Sequence, residues 1–457
     1  KKIIVFSIIS FITFLSYGQK VGLVLSGGGA KGMAHIGVIK ALEENGIPID
    51  FISGTSIGAI VGGLYAAGYS TTEMEEFFCS AEFENILAGK LDDKYYYFFK
   101  KQDINSAWVQ FNFDLDSAVF TPNLSLNIVN PYQMDFAFME FFAKADYISK
   151  NNFDSLFVPF RCIATDVTNG VEVVLDSGSL KDAIRASMTY PIYFNPIRIN
   201  GNLMYDGGIL NNFPIDIMCD IFNADYIIGV SVSTPQKEPT EDNLIATLTN
   251  MIVEKEQNHV FCKKGIIIKP NVPNLNVTDF QQGKNVIQIG YSALVDSLPI
   301  IQANIKRKVL AKDVEENRKE FRNKANKILI GKVKVVGLNP SQSIFIENII
   351  LDKNEIITLE ELKARYFKII VEDKIKNVYP YLVYDSLSNY YQIILHATPV
   401  KPFHANFGGY ISANAYTTLY LQLQYKYLGL QSIDAGLDAY FGRFYNSVVV
   451  STRLDYY

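Results

Sequence analysis

Three short stretches bring together residue types that could perform acyl transfer. Gly54-Thr55-Ser56-Ile57-Gly58 sits between a predicted strand, Phe51 to Ser53, and a predicted helix, Ile57 to Ala67, closed by Gly68. Flanking glycines let the chain turn sharply enough to hold a serine with its hydroxyl exposed, and the following helix aims its positive end at it. Ser56 is the candidate nucleophile. Ser26-Gly27-Gly28-Gly29-Ala30-Lys31-Gly32 also lies between a strand, Val21 to Leu25, and a helix, Ala30 to Asn45, closed by Gly46. Its glycines bare backbone N–H groups at a helix start, which makes a concavity for an anion. Asp206-Gly207-Gly208 follows the short strand Asn202 to Tyr205. The two glycines free the Asp206 carboxylate to reach a serine hydroxyl and accept its proton.

Each stretch also has an ordinary reading. Gly-Ser and Asp-Gly pairs make common turns. The run from Gly27 to Gly32 spells G-x-G-x-x-G, a dinucleotide fingerprint, and Asp50 stands about 20 residues on, where a ribose-binding acid belongs. Yet Asp50 directly precedes the strand that leads to Ser56, so the same loop is placed to hold an oxyanion. Gly27, Gly28 and Gly29 are then its donors, with Gly32, Gly54, Gly58, Gly207 and Gly208 as supporting positions. An ordinary Ser-Asp-His order needs a histidine after the acid. Of the four histidines, His35 lies in the helix after the glycine loop and His396 and His404 fall far toward the C-terminus. His259 is the remaining candidate, and its polar helical surroundings place it on a surface.

The elements that must position these groups alternate strand and helix from Val21 to about Val232, with further strands at Phe160 to Ala164, Val171 to Leu175 and Tyr226 to Val232. The pattern predicts an α/β fold with a mostly parallel sheet covered by helices on both faces. A charged stretch from about Asn304 to Lys327 reads as a helical connector with solvated faces. Lys332 to Pro399 reads as a small α+β module: a strand at Val333 to Val336, a turn from Gly337 to Pro340, a helix at Thr358 to Tyr366, and strands around Leu382 and Ile393. The last residues alternate with period two. Leu419, Leu421, Leu423, Tyr425 and Tyr427 share one face and Tyr420, Gln422, Gln424 and Lys426 the other; two further runs lie between Ile433 and Tyr456. Such segments match membrane β-strands, for which about 9–11 residues cross a bilayer. Four strands cannot close, and unpaired backbone in hydrocarbon costs several kcal/mol per group, so this reading expects more strands beyond Tyr457.

The 457 residues, 49% of them hydrophobic, suffice for two or three domains. A net charge of -5 offers no basic field for nucleic acid. Lys1 and Lys2, an apolar run from Ile3 to Leu15 and small residues ending at Gly18 describe a secretory signal peptide. Cys79, Cys162, Cys219 and Cys262 have no metal-ligand spacing and read as buried thiols. The cluster Tyr95-Tyr96-Tyr97-Phe98-Phe99-Lys100-Lys101 suits a membrane interface or a buried element.

Glycine loop, G-x-S-x-G and D-G-G in this order resemble the patatin-like phospholipases over about Val21 to Val232, with support from Ala34-His35-Ile36-Gly37-Val38, Ala164-Thr165-Asp166 and Ala186-Ser187-Met188 with Pro191 and Phe194. The resemblance implies a Ser-Asp pair without histidine, Ser56 and Asp206, and an oxyanion hole in the glycine loop. Lys31 stands where many members carry Arg. The small module is similar to a polypeptide-transport-associated domain, and the whole order resembles bacterial patatin-like autotransporters. The expected division is a signal peptide at 1–18, a catalytic domain at 19–303, a connector at 304–330, the α+β module at 331–400 and the start of an outer-membrane barrel at 401–457. The expected function is lipid acyl hydrolysis on phospholipid or another acyl ester, at a membrane, with no cofactor, metal or nucleic acid. The rival expectations are a non-catalytic outer-membrane assembly or transport component with a lipid-binding front domain, and a nucleotide-binding domain.

Overall fold

A computed structural model describes residues 18–95, 106–113, 121–122, 129–233, 264–273, 275, 278–351, 355–410 and 417–455. The signal peptide (save Gly18), residues 96–101 of the aromatic-basic cluster, His259 and Cys262 lie outside the described residues. The chain opens on β1 (Val21–Leu25), α1 (Ala34–Glu44), β2 (Phe51–Thr55), α2 (Ile57–Ala66), α3 (Thr71–Phe78) and α4 (Ala81–Ala88). Next come β3 (Ala107–Phe113), β4 (Thr121–Pro122), α5 (Tyr132–Ser149), β5 (Phe160–Asp166), β6 (Val171–Leu175) and α6 (Leu180–Ser187). β7 (Ile197–Ile199), β8 (Asn202–Asp206), α7 (Ile215–Asp220), β9 (Tyr226–Val230) and β10 (Lys264–Ile268) then lead to two helices, α8 (Gly283–Asn304) and α9 (Ala311–Asn323).

The first sheet runs β10-β9-β1-β2-β5-β8-β7, with β6 also pairing β5. From β10 to β5 all pairs are parallel, whereas β6, β8 and β7 are antiparallel. Every residue of β1 and β9 is buried, as continuous apolar strands sandwiched between helices must be. The sheet is therefore mixed, with the expected parallel part running from the β10 edge to β5 and the antiparallel strands beyond it.

Two helices depart from the expectation. α8 was not foreseen; it crosses α1 where a Cβ on Gly37 would lie 1.9 Å from the Ile287 carbonyl oxygen and one on Gly290 2.0 Å from that of Ala34. Only glycines permit that approach. Among the described residues Phe280–Asn304 is long and apolar enough to cross a membrane, yet Val286, Gly290, Leu294 and Ile301 are buried in this packing. α9 is shorter than the expected connector and is not solvated all round. Its Arg318 is buried, paired with Glu43 and Glu315, and Arg322 meets Glu73 at 2.6 Å, so this helix docks on α1 and α3.

The second sheet follows. β11 (Leu329–Val336), α10 (Pro340–Ile350), β12 (Ile357–Thr358), α11 (Leu359–Ile370), β13 (Ile375–Asp385) and β14 (Tyr390–Pro399) form an α+β unit of strand order β12-β11-β14-β13. α10 is an addition to the expected module, started by a capping box of Asn339 and Gln342. The core of this unit is continuous with Phe136 and Met139 of α5, which ties it to the first sheet.

The third sheet is antiparallel: β15 (Phe403–Tyr410), β16 (Thr418–Leu428), β17 (Ser432–Gly442) and β18 (Asn446–Asp455), in the order β18-β17-β16-β15-β3-β4. It is open at β18 and β4, and no closed barrel occurs among the described residues. Its period-2 pattern matches the expectation, but the burial is the reverse of a globular sheet. The apolar Leu419, Leu423, Leu437, Val448, Val450 and Leu454 are exposed, while His404, Asn406 and Tyr420 on the other face are buried. Gln422 and Tyr420 both donate to Asp438 Oδ1 at 2.6 Å on that polar face.

Candidate active site

β2 ends at Thr55 and α2 begins at Ile57, which leaves Ser56 alone on the turn with φ 55° and ψ -123°. A non-glycine residue adopts positive φ only when its surroundings enforce it. Here they do. A Cβ on Gly54 would lie 2.5 Å from the Gly58 carbonyl oxygen, and one on Gly58 2.3 Å from that of Leu25. Gly32 approaches Ile57 in the same way, with 2.2 Å left for a Cβ. The Ser56 N–H donates to Ser187 Oγ at 3.0 Å, and the Ser56 carbonyl accepts from Ala59 and Ile60.

The strained turn delivers Ser56 Oγ to Asp206, donating to Oδ2 at 2.7 Å. Asp206 is the last residue of β8, and every polar group it has is engaged. Its N–H donates to the Thr189 carbonyl at 2.9 Å, its carbonyl accepts from Thr165 Oγ1 at 3.0 Å, and its Oδ1 accepts from the Gly208 N–H at 2.7 Å. Gly207 lies against β5, where a Cβ would come within 2.3 Å of the Ile163 carbonyl oxygen. Burial raises the Asp206 pKa to about 6, against the opposing hydrogen bonds from Ser56 and Gly208. Such a carboxylate is basic enough to take a proton and is still ionised at neutral pH.

The glycine loop faces the same point, with one correction. The Gly27 N–H donates to the Asn212 carbonyl at 3.1 Å, so it is not available to a ligand. Gly28 and Gly29 have no protein acceptor for their N–H groups among the described residues. Gly29 has φ 58°, which favours glycine, and it begins a short 3₁₀ turn whose N–H end opens on the cavity. That cavity holds about 260 Å³. Ser56, Asp206, Gly28 and Gly29 form its polar end, and Ile60, Phe83, Leu87, Met134, Met188 and Phe280 give apolar walls. Lys31 also lines it.

Other candidates go elsewhere. Asp50 accepts from the Val21 N–H at 2.8 Å and pairs with Arg307, so it fastens β1 and the chain after α8 instead of meeting a ribose. His35 is buried with Nε2 2.9 Å from the Ser26 carbonyl, and burial lowers its pKa to about 4. His396 and His404 belong to β14 and β15. Asp166 accepts from Thr168, Asn169 and Asn202 and closes a turn. Cys162 is a buried thiol and Cys79 a half-buried one, but Cys219 is disulfide-bonded, contrary to the expectation of free thiols.

Sequence reasoning did not give roles to Ser187 and Thr189, which brace the backbones of Ser56 and Asp206 from the end of α6. At the start of α6, Asp182 accepts from Tyr379 and Tyr381 of β13, each at 3.0 Å, and the Lys181 ammonium lies 3.4 Å from the Tyr379 ring centre. Within the helix, Arg185 donates to buried Asp135 at 2.8 Å. One short helix thus links the second sheet to both members of the pair.

An α/β domain with a serine on a glycine-flanked elbow, a carboxylate hydrogen-bonded to that serine and a glycine loop beside them defines a recognisable class. Residues 23–218 match the family of patatin-like phospholipases, and the chain carries a patatin-like phospholipase domain. The chain is similar to Lysophospholipase NTE1 of Kluyveromyces lactis, 30% identical over 317 residues that cover 62% of this chain and 20% of that protein. It is also similar to Lysophospholipase NTE1 of Mycosarcoma maydis, 36% identical over 217 residues, 48% of this chain and 10% of the relative. The matched stretch thus spans a fifth or less of these two curated relatives. A solved structure, VipD from Legionella pneumophila, aligns over 62% of this chain and 67% of that one, with 16% identity and a TM-score of 0.33.

Proposed function

We propose that the chain is a serine lipid acyl hydrolase of phospholipase A type or a related acyl-ester hydrolase. The observation that carries the reading is Ser56 Oγ held 2.7 Å from buried Asp206 at the polar end of an apolar cavity. Ser56 Oγ attacks the ester carbonyl as its proton passes to Asp206 Oδ2, and the carbonyl oxygen becomes an oxyanion held by the Gly28 and Gly29 N–H groups. Collapse breaks the ester C–O bond, and Asp206 returns its proton to the departing alcohol. Water, deprotonated by Asp206, then attacks the acyl carbonyl; the acyl–Oγ bond breaks, the fatty acid leaves and Asp206 returns the proton to Ser56 Oγ. The acyl chain lies along Ile60, Phe83, Met188 and their neighbours. The lipid substrate is supported by the relatives, which are lysophospholipases.

The same reading assigns 19–303 to catalysis, 304–330 to a connector, 331–400 to a transport-associated-like module and 401–457 to an outer-membrane sheet, after export by a signal peptide at 1–18. Support for the membrane part comes from the outward apolar and inward polar faces of the third sheet. A disulfide at Cys219 fits an oxidising compartment. The test is fatty-acid release from phosphatidylcholine and lysophosphatidylcholine by the full chain and by Ser56→Ala. Release by the full chain and none by the variant is expected; equal release from both would remove Ser56 from the mechanism.

A further inference from the structure

The third sheet contains a strand that does not come from the C-terminal run. β3 lies between α4 and α5, both of which supply cavity walls, and it pairs antiparallel with β15: Phe113 opposite Phe403, Phe111 opposite Ala405 and Val109 opposite Phe407. Its side chains follow the alternation of the sheet it joins. Phe111 continues a row through Ala405, Leu423, Leu437 and Val450 on the apolar face. Phe113 stacks on Phe403 at 5.5 Å, and Phe111 meets Phe407 edge-on at 6.0 Å. On the polar face Asn112 Oδ1 lies 2.8 Å from His404 Nδ1. The register shifts beside Trp108, leaving Trp108 61% exposed and Val109 47% exposed.

A soluble edge strand is normally blunted by charge or proline. Two-residue β4, which carries Pro122, pairs with β3 only at Phe111 and Asn112, so the rest of β3 is an edge; it reads Ala-Trp-Val-Gln-Phe-Asn-Phe and has no charge or proline of its own. Two-faced alternation kept in register with four neighbouring strands is the requirement for a strand whose outer face meets acyl chains and whose inner face is wet. We propose that Ala107–Phe113 is a membrane-inserted wall strand contributed by the catalytic domain, its outer face in contact with the acyl chains of a lipid bilayer. This rests on the membrane reading of the third sheet. The consequence is mechanical: while β3 stays in the sheet, the domain that carries Ser56 is held at the bilayer, and the cavity walls on either side of β3 are tethered to the surface from which lipid is drawn.

Trp108 is the single tryptophan of the chain, which makes the test direct. The full chain is placed in phosphatidylcholine vesicles with and without brominated acyl chains, and Trp fluorescence is read. Trp108 emission is expected to fall at least twofold with the brominated lipid. In a Trp108→Phe background, Phe111→Trp should be quenched to a similar extent and Asn112→Trp much less, the period-2 signature of a wall strand. Val450→Trp in the same background reports the third sheet itself. Quenching at 450 with none at 108 or 111 would overturn the insertion of β3 and leave the membrane sheet intact. No quenching at 450 would overturn both. Equal quenching at 111 and 112 would also refute a wall strand, since a segment merely lying in the headgroup region has no inner face.

Discussion

The first and third sheets are built from similar apolar and aromatic residues and use them in opposite senses. In the first, β1 and β9 are apolar throughout and buried on both faces by helices, and the polar groups that remain inside are engaged at the Ser56 site. In the third, the apolar side chains of β16, β17 and β18 point outward and the polar ones of β15 and β16 are buried. The difference teaches that alternation alone does not say which face is the inside. The first sheet is stabilised by removing apolar surface from water. The third leaves a broad apolar face exposed.

The sharpest break in that comparison is at the buried polar centre. Asp206→Asn keeps the shape and removes the base, and kcat should fall about 10²–10⁴-fold, measured as fatty-acid release at neutral pH. Activity within a few-fold of wild type would mean that another group takes the proton. The corresponding break in the third sheet is Leu437→Lys on its outward face. A cation there is expected to weaken membrane insertion by about 2–4 kcal/mol if the site is near the midplane, seen as loss from the membrane fraction, whereas Gln424→Lys on the opposite face should be tolerated. Equal behaviour of the two variants would identify a soluble sheet.

Smaller effects sharpen the account of the first sheet. Only ionised Asp206 can accept a proton, and its pKa is raised to about 6, so kcat/KM should hold a plateau above neutrality and fall through pH 6 as the carboxylate is protonated. At pH 5 a roughly tenfold loss is expected from that single titration. The pair Tyr379→Phe and Tyr381→Phe removes two hydrogen bonds to Asp182 at the far end of α6. A drop in kcat of about three- to tenfold with KM unchanged would mark α6 as a positioning element; a change in KM alone would not.

Much of the site was readable because its chemistry is local. Gly54, Ser56 and Gly58 lie within one turn, and the close approaches that demand glycine leave a pattern in the chain itself. Asp206 was found the same way, through Gly207 and Gly208. What the sequence did not carry was pairing across distance. Gly27 looks like its neighbours until Asn212 takes its N–H, and Ser187 looks like any helix-end serine until Ser56 donates to it. α9 reads as solvated because nothing local reports that Arg318 will find Glu43. β3 is seven residues long and stands far from β15 in the chain, so its partner could not be read from period alone. The alternation of β16 to β18 was plain, but whether those strands close a barrel depends on partners that alternation does not name.

The central claim, a Ser56 nucleophile activated by Asp206 without histidine, is tested most directly by fluorophosphonate labelling of the full chain followed by peptide mass spectrometry. A single phosphonylated serine, Ser56, is expected, with labelling abolished in Ser56→Ala and slowed by at least tenfold in Asp206→Asn. The labelling rate is expected to be unchanged in His259→Ala. Labelling at another serine, or loss of labelling in His259→Ala, would contradict it.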